Sequence, residues 1–179
     1  MTNEPITQEP ILATTLGTPV GPLSLLAWGD LLVGGGFTSR PEELYRRLHR
    51  SLRSRPLATV PAGDLAWLAT PLRDYFAGEL GALDTIPVHQ PGTPGRQALW
   101  AALRAIPPGR TASYSELAAM AGSPHAPRAA GAACAANLIA PVVPCHRAVR
   151  TDGSLTGYYY GLDRKGWLLR HEGARRGFG

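Results

Sequence analysis

The sequence predicts two domains: an α/β domain over residues 1–88 and a mainly α-helical domain with a winged helix-turn-helix over residues 89–179. Three observations predict this division. Apolar stretches alternate with turn residues over residues 11–37, which is typical of a small β-sheet. Residues 81–95 are rich in glycine, proline and threonine, as linkers are. Two short helical segments separated by a glycine-containing turn follow, and this pattern is typical of a helix-turn-helix.

The N-terminal domain is expected to contain a β-hairpin followed by two helices. Gly29-Asp30 lies between two apolar runs, where it predicts the turn of the hairpin. A first helix opens at Pro41, and a second has Asp64 as its expected N-cap. Leucines recur along the first helix at helical spacing, at Leu44, Leu48 and Leu52. The apolar face of the second helix comprises Leu65, Leu68, Leu72 and Phe76.

The C-terminal domain is expected to begin with a helix from Gln97 that ends before the turn Pro107-Pro108-Gly109. Ser113 and Glu116 then have the spacing of a capping box, which predicts the start of a short helix. A glycine-containing turn separates this helix from the second helix of the helix-turn-helix, residues 127–136.

Two further elements complete this domain. The turn residues Thr151-Asp152-Gly153-Ser154 predict a β-hairpin, which would form the wing. Residues 161–171 predict a final helix, and Glu172 follows directly after it.

The helix over residues 127–136 has an unusual composition for a DNA reader. After Pro127, its residues are alanine, glycine and cysteine, with Arg128 as the single basic residue near its N-terminal end. Base-specific contacts in the major groove need residues such as arginine, asparagine or glutamine. A helix of small residues with one arginine instead favours the minor groove and an inserted side chain. The alternative is that these alanines pack the core.

Charge and cysteine content restrict the classes of function. Residues 1–93 have a net charge of −2 and residues 94–179 a net charge of +7, which favours a polyanion partner for the C-terminal half. A basic face without a partner is the alternative. Two cysteines exclude a disulfide framework and a cysteine-rich zinc site. No apolar run approaches the roughly 18 residues that span a bilayer, and residues 1–5 lack the basic start of a signal peptide. A cytoplasmic location is therefore expected.

The segment Pro144-Cys145-His146-Arg147 carries the candidate chemistry. It places a thiol beside an imidazole, directly after the apolar run over residues 138–143. With the carboxylate of Glu172, these groups are able to form an activated nucleophile, because the thiolate is the reactive form and a nearby base lowers the cost of making it. A buried structural cysteine is the alternative.

Several motifs in combination resemble the O6-alkylguanine-DNA alkyltransferase family, also called methylated-DNA–protein-cysteine methyltransferase. The match is dense over residues 93–173 and looser over residues 16–92. Its motifs are Ile106-Pro107-x-Gly109-x-Thr111-x-Ser113-Tyr114, Arg128-Ala129-x-Gly131, Asn137, Pro144-Cys145-His146-Arg147, Gly157-Tyr158 and Lys165-x-Trp167-Leu168-Leu169-x-His171-Glu172. The resemblance implies a ribonuclease H-like N-terminal domain and a winged helix-turn-helix C-terminal domain.

The resemblance also implies a repair reaction by direct reversal. Cys145 would take the alkyl group from O6-alkylguanine in DNA irreversibly, so that each molecule acts once; activity on O4-alkylthymine stays open. The partner would be double-stranded DNA that contains an alkylated guanine, bound through its minor groove by a monomer, with the damaged nucleotide flipped out of the duplex. No cofactor and no metal are expected.

Roles for individual residues follow from the same resemblance. His146 would deprotonate Cys145 through a water, and Glu172 would orient the imidazole. Tyr114 would donate a hydrogen bond to the leaving guanine, and Asn137 would lie in the hinge between the second helix and the active-site strand.

Two further groups of residues are assigned to the DNA and to the flipped base. Arg128 would fill the gap in the base stack. The other DNA-contacting positions would be Tyr114, Ala129, Gly131 and Ala132. The substrate pocket would contain Ala148, Tyr158, Tyr159 and Tyr160. Backbone carbonyls of Cys145 and Ala148 would hold the guanine amino group.

The chain departs from the family pattern at a few positions. Leu138 follows Asn137 where the family commonly has proline, so a less rigid hinge is expected. Tyr159 and Tyr160 stand where small residues are usual, which predicts a narrower pocket. Three rival classes remain: a damage-binding relative without transfer activity, a winged-helix transcription regulator and a Cys-His-Glu hydrolase. The presence of Cys145 opposes the first, the alanine-rich helix opposes the second, and reaction stoichiometry separates the third.

Overall fold

The computed structural model describes residues 8–174, and its N-terminal part is built on a mixed four-stranded sheet. The strands are β1 (Ile11–Thr18), β2 (Gly21–Trp28), β3 (Leu31–Gly36) and β4 (Leu57–Thr59). The order is β3-β2-β1-β4, with β1, β2 and β3 antiparallel and β4 parallel to β1. The predicted turn at Gly29-Asp30 is present, and Gly29 adopts a φ of 57° in it, a conformation that glycine tolerates best.

The helix predicted from Pro41 is divided in two. α1 spans Pro41–Arg47 and α2 spans Arg50–Arg53. The chain is extended at Leu48 and His49, where the His49 ring accepts a hydrogen bond from the Ser51 amide and caps the new helix. The leucines of the predicted face are nevertheless all buried: Leu44, Leu48 and Leu52. Their spacing predicted burial correctly but not the continuity of the helix.

The prediction of Asp64 as an N-cap is wrong. Asp64 lies inside a 3₁₀ turn, Ala62–Leu65, and the following helix α3 (Ala66–Ala77) begins without a side-chain cap. The Asp64 amide donates to Pro61 O at 3.0 Å, so Asp64 is a member of this turn, and Leu65 is the residue that precedes the helix. α3 brings the fully buried Tyr75 toward the C-terminal part of the chain.

The predicted linker at residues 81–95 is an ordered part of the sheet edge. It contains a 3₁₀ turn, Ala82–Thr85, and Val88 then forms a parallel bridge with Leu32 of β3. The Leu32 amide donates to Pro87 O and the His89 amide donates to Leu32 O, each at 2.9 Å. This segment therefore pairs with the outer edge of β3.

The C-terminal part is mainly helical. Its elements are α4 (Pro94–Ala105), β5 (Ala112–Ser113), α5 (Tyr114–Met120), α6 (Pro127–Ala136), β6 (Ala148–Val149) and α7 (Leu162–His171), and β5 pairs in parallel with β6. The capping box is confirmed: Ser113 Oγ accepts from the Glu116 amide at 3.1 Å, and Glu116 Oε2 accepts from the Ser113 amide at 2.6 Å. One large cluster of buried side chains extends from the sheet to these helices. Within residues 8–174, no helix is long and apolar enough to cross a membrane.

The predicted β-wing does not form within the described residues. The turn itself is present, since the Gly153 amide donates to Arg150 O at 2.8 Å, but no strand follows it over residues 154–160. The buried Lys165 ammonium donates instead to Ala148 O at 2.6 Å and to Thr156 O at 2.8 Å. A side chain thus takes two carbonyls that a hairpin would have used for backbone pairing.

Candidate active site

Cys145 opens a single 3₁₀ turn, Cys145–Arg147, which follows the irregular segment after α6. Its thiol is buried, with 8% of the residue exposed. Asn137, at the end of α6, donates from Nδ2 to Cys145 Sγ at 3.2 Å and to Val143 O at 2.8 Å. The Asn137 side chain therefore connects the end of the helix directly to the candidate nucleophile.

Burial raises the pKa of the Cys145 thiol. The hydrogen bond from Asn137 and the positive charge of Lys165 act in the opposite direction, because both favour the thiolate, but they do not overcome the burial. The resting group is therefore the thiol, and a base is needed to make the nucleophile.

His146, the residue after Cys145, pairs with the carboxylate of Glu172. His146 Nε2 is 2.8 Å from Glu172 Oε1, and both side chains are completely buried. Arg147 donates from Nε to Glu172 Oε2 and from Nη2 to Oε1, each at 2.9 Å. Tyr75 of α3 adds a fourth hydrogen bond, from its hydroxyl to Oε1 at 2.7 Å. The carboxylate of Glu172 is thus held by groups from both parts of the chain.

The charges in this cluster follow from its contacts. Burial lowers the pKa of His146, despite the neighbouring carboxylate, so the resting imidazole is neutral. Burial would raise the pKa of Glu172, but the hydrogen bond from His146 together with the hydrogen bonds and positive charge of Arg147 outweigh it and hold that pKa well below its usual range. Because Nε2 faces an anion, it carries the ring proton, and Nδ1 is left as the acceptor. His146 Nδ1 is buried and has no hydrogen-bond partner among the described residues.

Sequence reasoning missed Tyr75 and Lys165 as site residues. Lys165 is the only lysine in the chain and is fully buried, and its positive charge opposes the rise in the pKa of Cys145. A single lysine among 18 basic residues is a signal that was available in the sequence. Tyr75 offered no such signal, because its partner Glu172 lies 97 residues away.

An open groove of about 540 Å³ lies between α5, α6 and the turn that follows β6. It is lined by Tyr114, Ser115, Pro127, Arg128, Gly131, Arg150, Thr151 and Asp152. Burial raises the pKa of Tyr114 to about 12, so its hydroxyl keeps its proton and is able to donate. On α6, Arg128, Ala129 and Ala132 are exposed, whereas Ala130 and Ala133 are buried. One helix thus presents small residues both to the core and to the surface.

The three consecutive tyrosines point to different places. Tyr158 is buried, and its hydroxyl has no hydrogen-bond partner in the described part of the chain. Tyr159 is 70% exposed, and the Arg47 guanidinium lies 4.0 Å from its ring centre. Tyr160 turns toward β3, where its ring packs edge-on against Phe37 at 5.6 Å. Of these residues, Tyr159 is directed away from the core of the site.

The structure places five of the predicted site residues at or next to the Cys145 turn. Asn137 bonds to Cys145, and His146, the next residue in the chain, pairs with Glu172; all four residues are buried. Ala148 belongs to the same cluster of buried hydrophobic residues as Cys145, and its carbonyl accepts from Lys165. Over residues 8–174, no group of three or more histidine, cysteine or acidic side chains is arranged to hold a metal ion.

Comparison with known proteins gives consistent results. Residues 94–174 match the family described as 6-O-methylguanine DNA methyltransferase, DNA binding domain. The chain is 43% identical over 168 residues to the methylated-DNA–protein-cysteine methyltransferase of Salmonella typhimurium, covering 91% of this chain and 96% of that protein. The protein of the same name from Mycobacterium tuberculosis is 39% identical over 162 residues, which cover 90% of this chain and 92% of that protein. A crystal structure of Mycobacterium tuberculosis OGT in complex with DNA superposes with a TM-score of 0.73 at 35% identity. The superposition covers 91% of this chain and 93% of that one.

Proposed function

Since this chain belongs to the methylated-DNA–protein-cysteine methyltransferase family and acts in DNA repair by alkyl transfer, we propose that Cys145 is the residue that accepts the alkyl group. The observation that carries this assignment is the Asn137 hydrogen bond to Cys145 Sγ beside the buried His146–Glu172 pair. Burial raises the pKa of Cys134, the other cysteine, to about 12. Cys134 lies on α6 with no hydrogen bond to an imidazole or carboxylate of residues 8–174.

The proton of the thiol would pass to His146. Nδ1 accepts it through a water, and the imidazolium that forms is stabilised by the Glu172 carboxylate at 2.8 Å. Arg147 keeps that carboxylate ionised, and the hydrogen bond from Tyr75 helps to hold it in place. This arrangement supports His146 as the base and Glu172 as the group that orients the imidazole and stabilises its positive charge.

Transfer then proceeds by a single displacement. The Cys145 sulfur forms a bond to the alkyl carbon, the bond from that carbon to guanine O6 breaks, and the electron pair stays on the guanine. Tyr114 donates a hydrogen bond to the guanine as its negative charge develops. The guanine then takes up one proton, which balances the proton that the thiol gave to His146. The product is a thioether, and no group in the site regenerates the thiol, so each molecule reacts once.

The groove beside Tyr114 is the proposed DNA interface. α5 and α6 act as a helix-turn-helix that approaches the minor groove through Ala129, Gly131 and Ala132. Arg128 replaces the flipped nucleotide in the base stack. The support for this proposal is the exposure of Arg128, Ala129 and Ala132 on α6, together with the net charge of +7 over residues 94–179.

The flipped guanine would lie between Tyr158 and the backbone carbonyls of Cys145 and Ala148. Lys165 holds the Ala148 carbonyl in a fixed direction, which supports its use as an acceptor. We further propose that the four-stranded sheet with α1–α3 is a ribonuclease H-like domain over residues 1–88, and that residues 89–179 form the DNA-binding domain. The protein acts as a cytoplasmic monomer.

Intact-protein mass spectrometry tests this proposal. Incubation with a duplex that contains one O6-methylguanine should add one methyl group per molecule, and peptide mapping should locate it on Cys145. Cys145→Ala should gain no mass, whereas Cys134→Ala should react as the wild type does. Methylation of Cys145→Ala, repeated turnover, or no gain by the wild type would contradict the assignment.

A further inference from the structure

The side chain of Gln90 makes two hydrogen bonds to the hinge after α6. Its Oε1 accepts from the Leu138 amide at 2.6 Å, and its Nε2 donates to Asn137 Oδ1 at 3.4 Å. Gln90 belongs to the segment that pairs with the edge of β3, so it reaches the hinge from a different part of the fold. None of the roles proposed above uses this residue.

The position of the Asn137 amide depends on what its oxygen accepts. Oδ1 takes the Ile139 amide at 3.1 Å and the Gln90 amide, and this orients Nδ2 toward Val143 O and the cysteine sulfur. The adjoining backbone is held on its other side by β3, because the Gly35 amide donates to Leu138 O at 2.7 Å. Gln90 thus contacts both the side chain and the backbone of the hinge.

Leucine at position 138 has a backbone amide that needs a hydrogen-bond acceptor, whereas proline has none. A proline there would have a fixed φ and no amide hydrogen, whereas Leu138 brings a donor that must find a partner in a partly buried hinge. Gln90 Oε1 is that partner. We propose that Gln90 is a positioning residue for alkyl transfer, which holds Asn137 against the Cys145 thiol through the Leu138 amide and the Asn137 side chain. This inference rests on the proposed role of Cys145.

Gln90→Met tests the inference, because it keeps the length of the side chain and removes both hydrogen bonds. Loss of the positioned Asn137 amide should slow methyl transfer at pH 7 about fivefold. It should also move the midpoint of the rate–pH curve upward, because the Asn137 hydrogen bond lowers the pKa of Cys145 and its loss raises that pKa. Gln97→Met is the matched control, since Gln97 is exposed on α4 and should change neither quantity.

A second change should rescue the first. Leu138→Pro in the Gln90→Met protein removes the unpaired amide and fixes the backbone. Asn137 has a ψ of 124°, which is compatible with a following proline. We expect the double variant to transfer within about twofold of the wild-type rate, with its pH midpoint restored.

The outcomes separate this inference from the function on which it rests. If wild-type protein gains no methyl group on Cys145, the proposed function fails, whatever Gln90 does. If the wild type reacts and Gln90→Met reacts at the same rate with the same pH midpoint, Gln90 does not position the nucleophile. A lower melting temperature with unchanged kinetics would also overturn the inference, because a purely structural bond would behave so. Should the double variant not fold, the pH profile of Gln90→Met decides alone.

Discussion

Replacing Tyr75 with phenylalanine removes one hydrogen bond from the buried Glu172 cluster and almost nothing else. The ring keeps its edge-on contacts with Phe76 at 5.1 Å and with His171 at 5.2 Å. The lost bond spans 2.7 Å to an ionised acceptor in a fully buried position. Hydrogen bonds to charged groups contribute about 1.5–3 kcal/mol. We therefore expect the free energy of unfolding to fall by about 2 kcal/mol, which lowers the melting temperature of a chain of this size by about 4–8 °C.

The same substitution should leave most of the chemistry intact. Glu172 keeps both contacts with Arg147 and its contact with His146, so the rate constant for methyl transfer should fall by no more than about threefold, equivalent to about 0.7 kcal/mol. Calorimetry and single-turnover mass spectrometry measure the two effects. Tyr45→Phe is the matched control, because that hydroxyl bonds two neutral carbonyls, Arg53 O and Arg55 O, near the surface. Its loss should cost about 1 kcal/mol.

Two results would refute this reasoning about Tyr75. A melting temperature within about 1 °C of the wild type would show that the hydrogen bond contributes nothing to stability. A loss of transfer greater than about a hundredfold, or about 2.7 kcal/mol, with a normal melting temperature would place Tyr75 in the chemistry itself.

Three further predictions concern DNA, pH and the pocket. Arg128→Ala should slow repair in duplex DNA far more than reaction with free O6-methylguanine, because only the duplex has a base stack to fill; equal losses in the two kinetic assays would make Arg128 structural. The free energy of unfolding should fall as pH drops below about 6.5, because His146 gains a proton in the unfolded chain that the folded ring resists. It should fall further below about 4.5, because Glu172 gains a proton only on unfolding. Urea titrations at a series of pH values measure both losses, and Glu172→Gln should remove most of the one below pH 4.5. Tyr158→Phe should keep or raise the melting temperature, since it removes a buried hydroxyl without a hydrogen-bond partner among the described residues; a fall of more than about 3 °C would reveal such a partner.

Local signals in the sequence predicted much of the C-terminal half. The capping box at Ser113 and Glu116 formed as expected, because both partners lie within one helical turn. The proximity of His146 to Cys145 is fixed by their adjacency in the chain. Glu172 was assigned through motif resemblance, and the fold brings it to His146 across 26 residues.

The errors arose where a distant partner overrode a local preference. The turn at residues 151–154 has hairpin residues, but the Lys165 ammonium takes the Ala148 and Thr156 carbonyls that a wing would pair. The segment at residues 81–95 has the composition of a linker, yet the free edge of β3 gives it hydrogen-bond partners. Gln90 and Tyr75 act across 47 and 97 residues, and no local pattern in a single sequence identifies such pairs.

Three successive glycines of β3 lie so close to their neighbours that a side chain at any of them would displace other atoms. A methyl group at Gly34 would press on Leu26 within the sheet, at 3.0 Å. One at Gly35 would meet the carbonyl oxygen of Ala140 at 2.9 Å, in the segment that leads to the cysteine. One at Gly36 would collide with the Tyr160 hydroxyl. A natural variant with alanine in this strand would therefore strain the sheet at position 34, the segment before Cys145 at position 35, and the loop that carries Tyr160 at position 36.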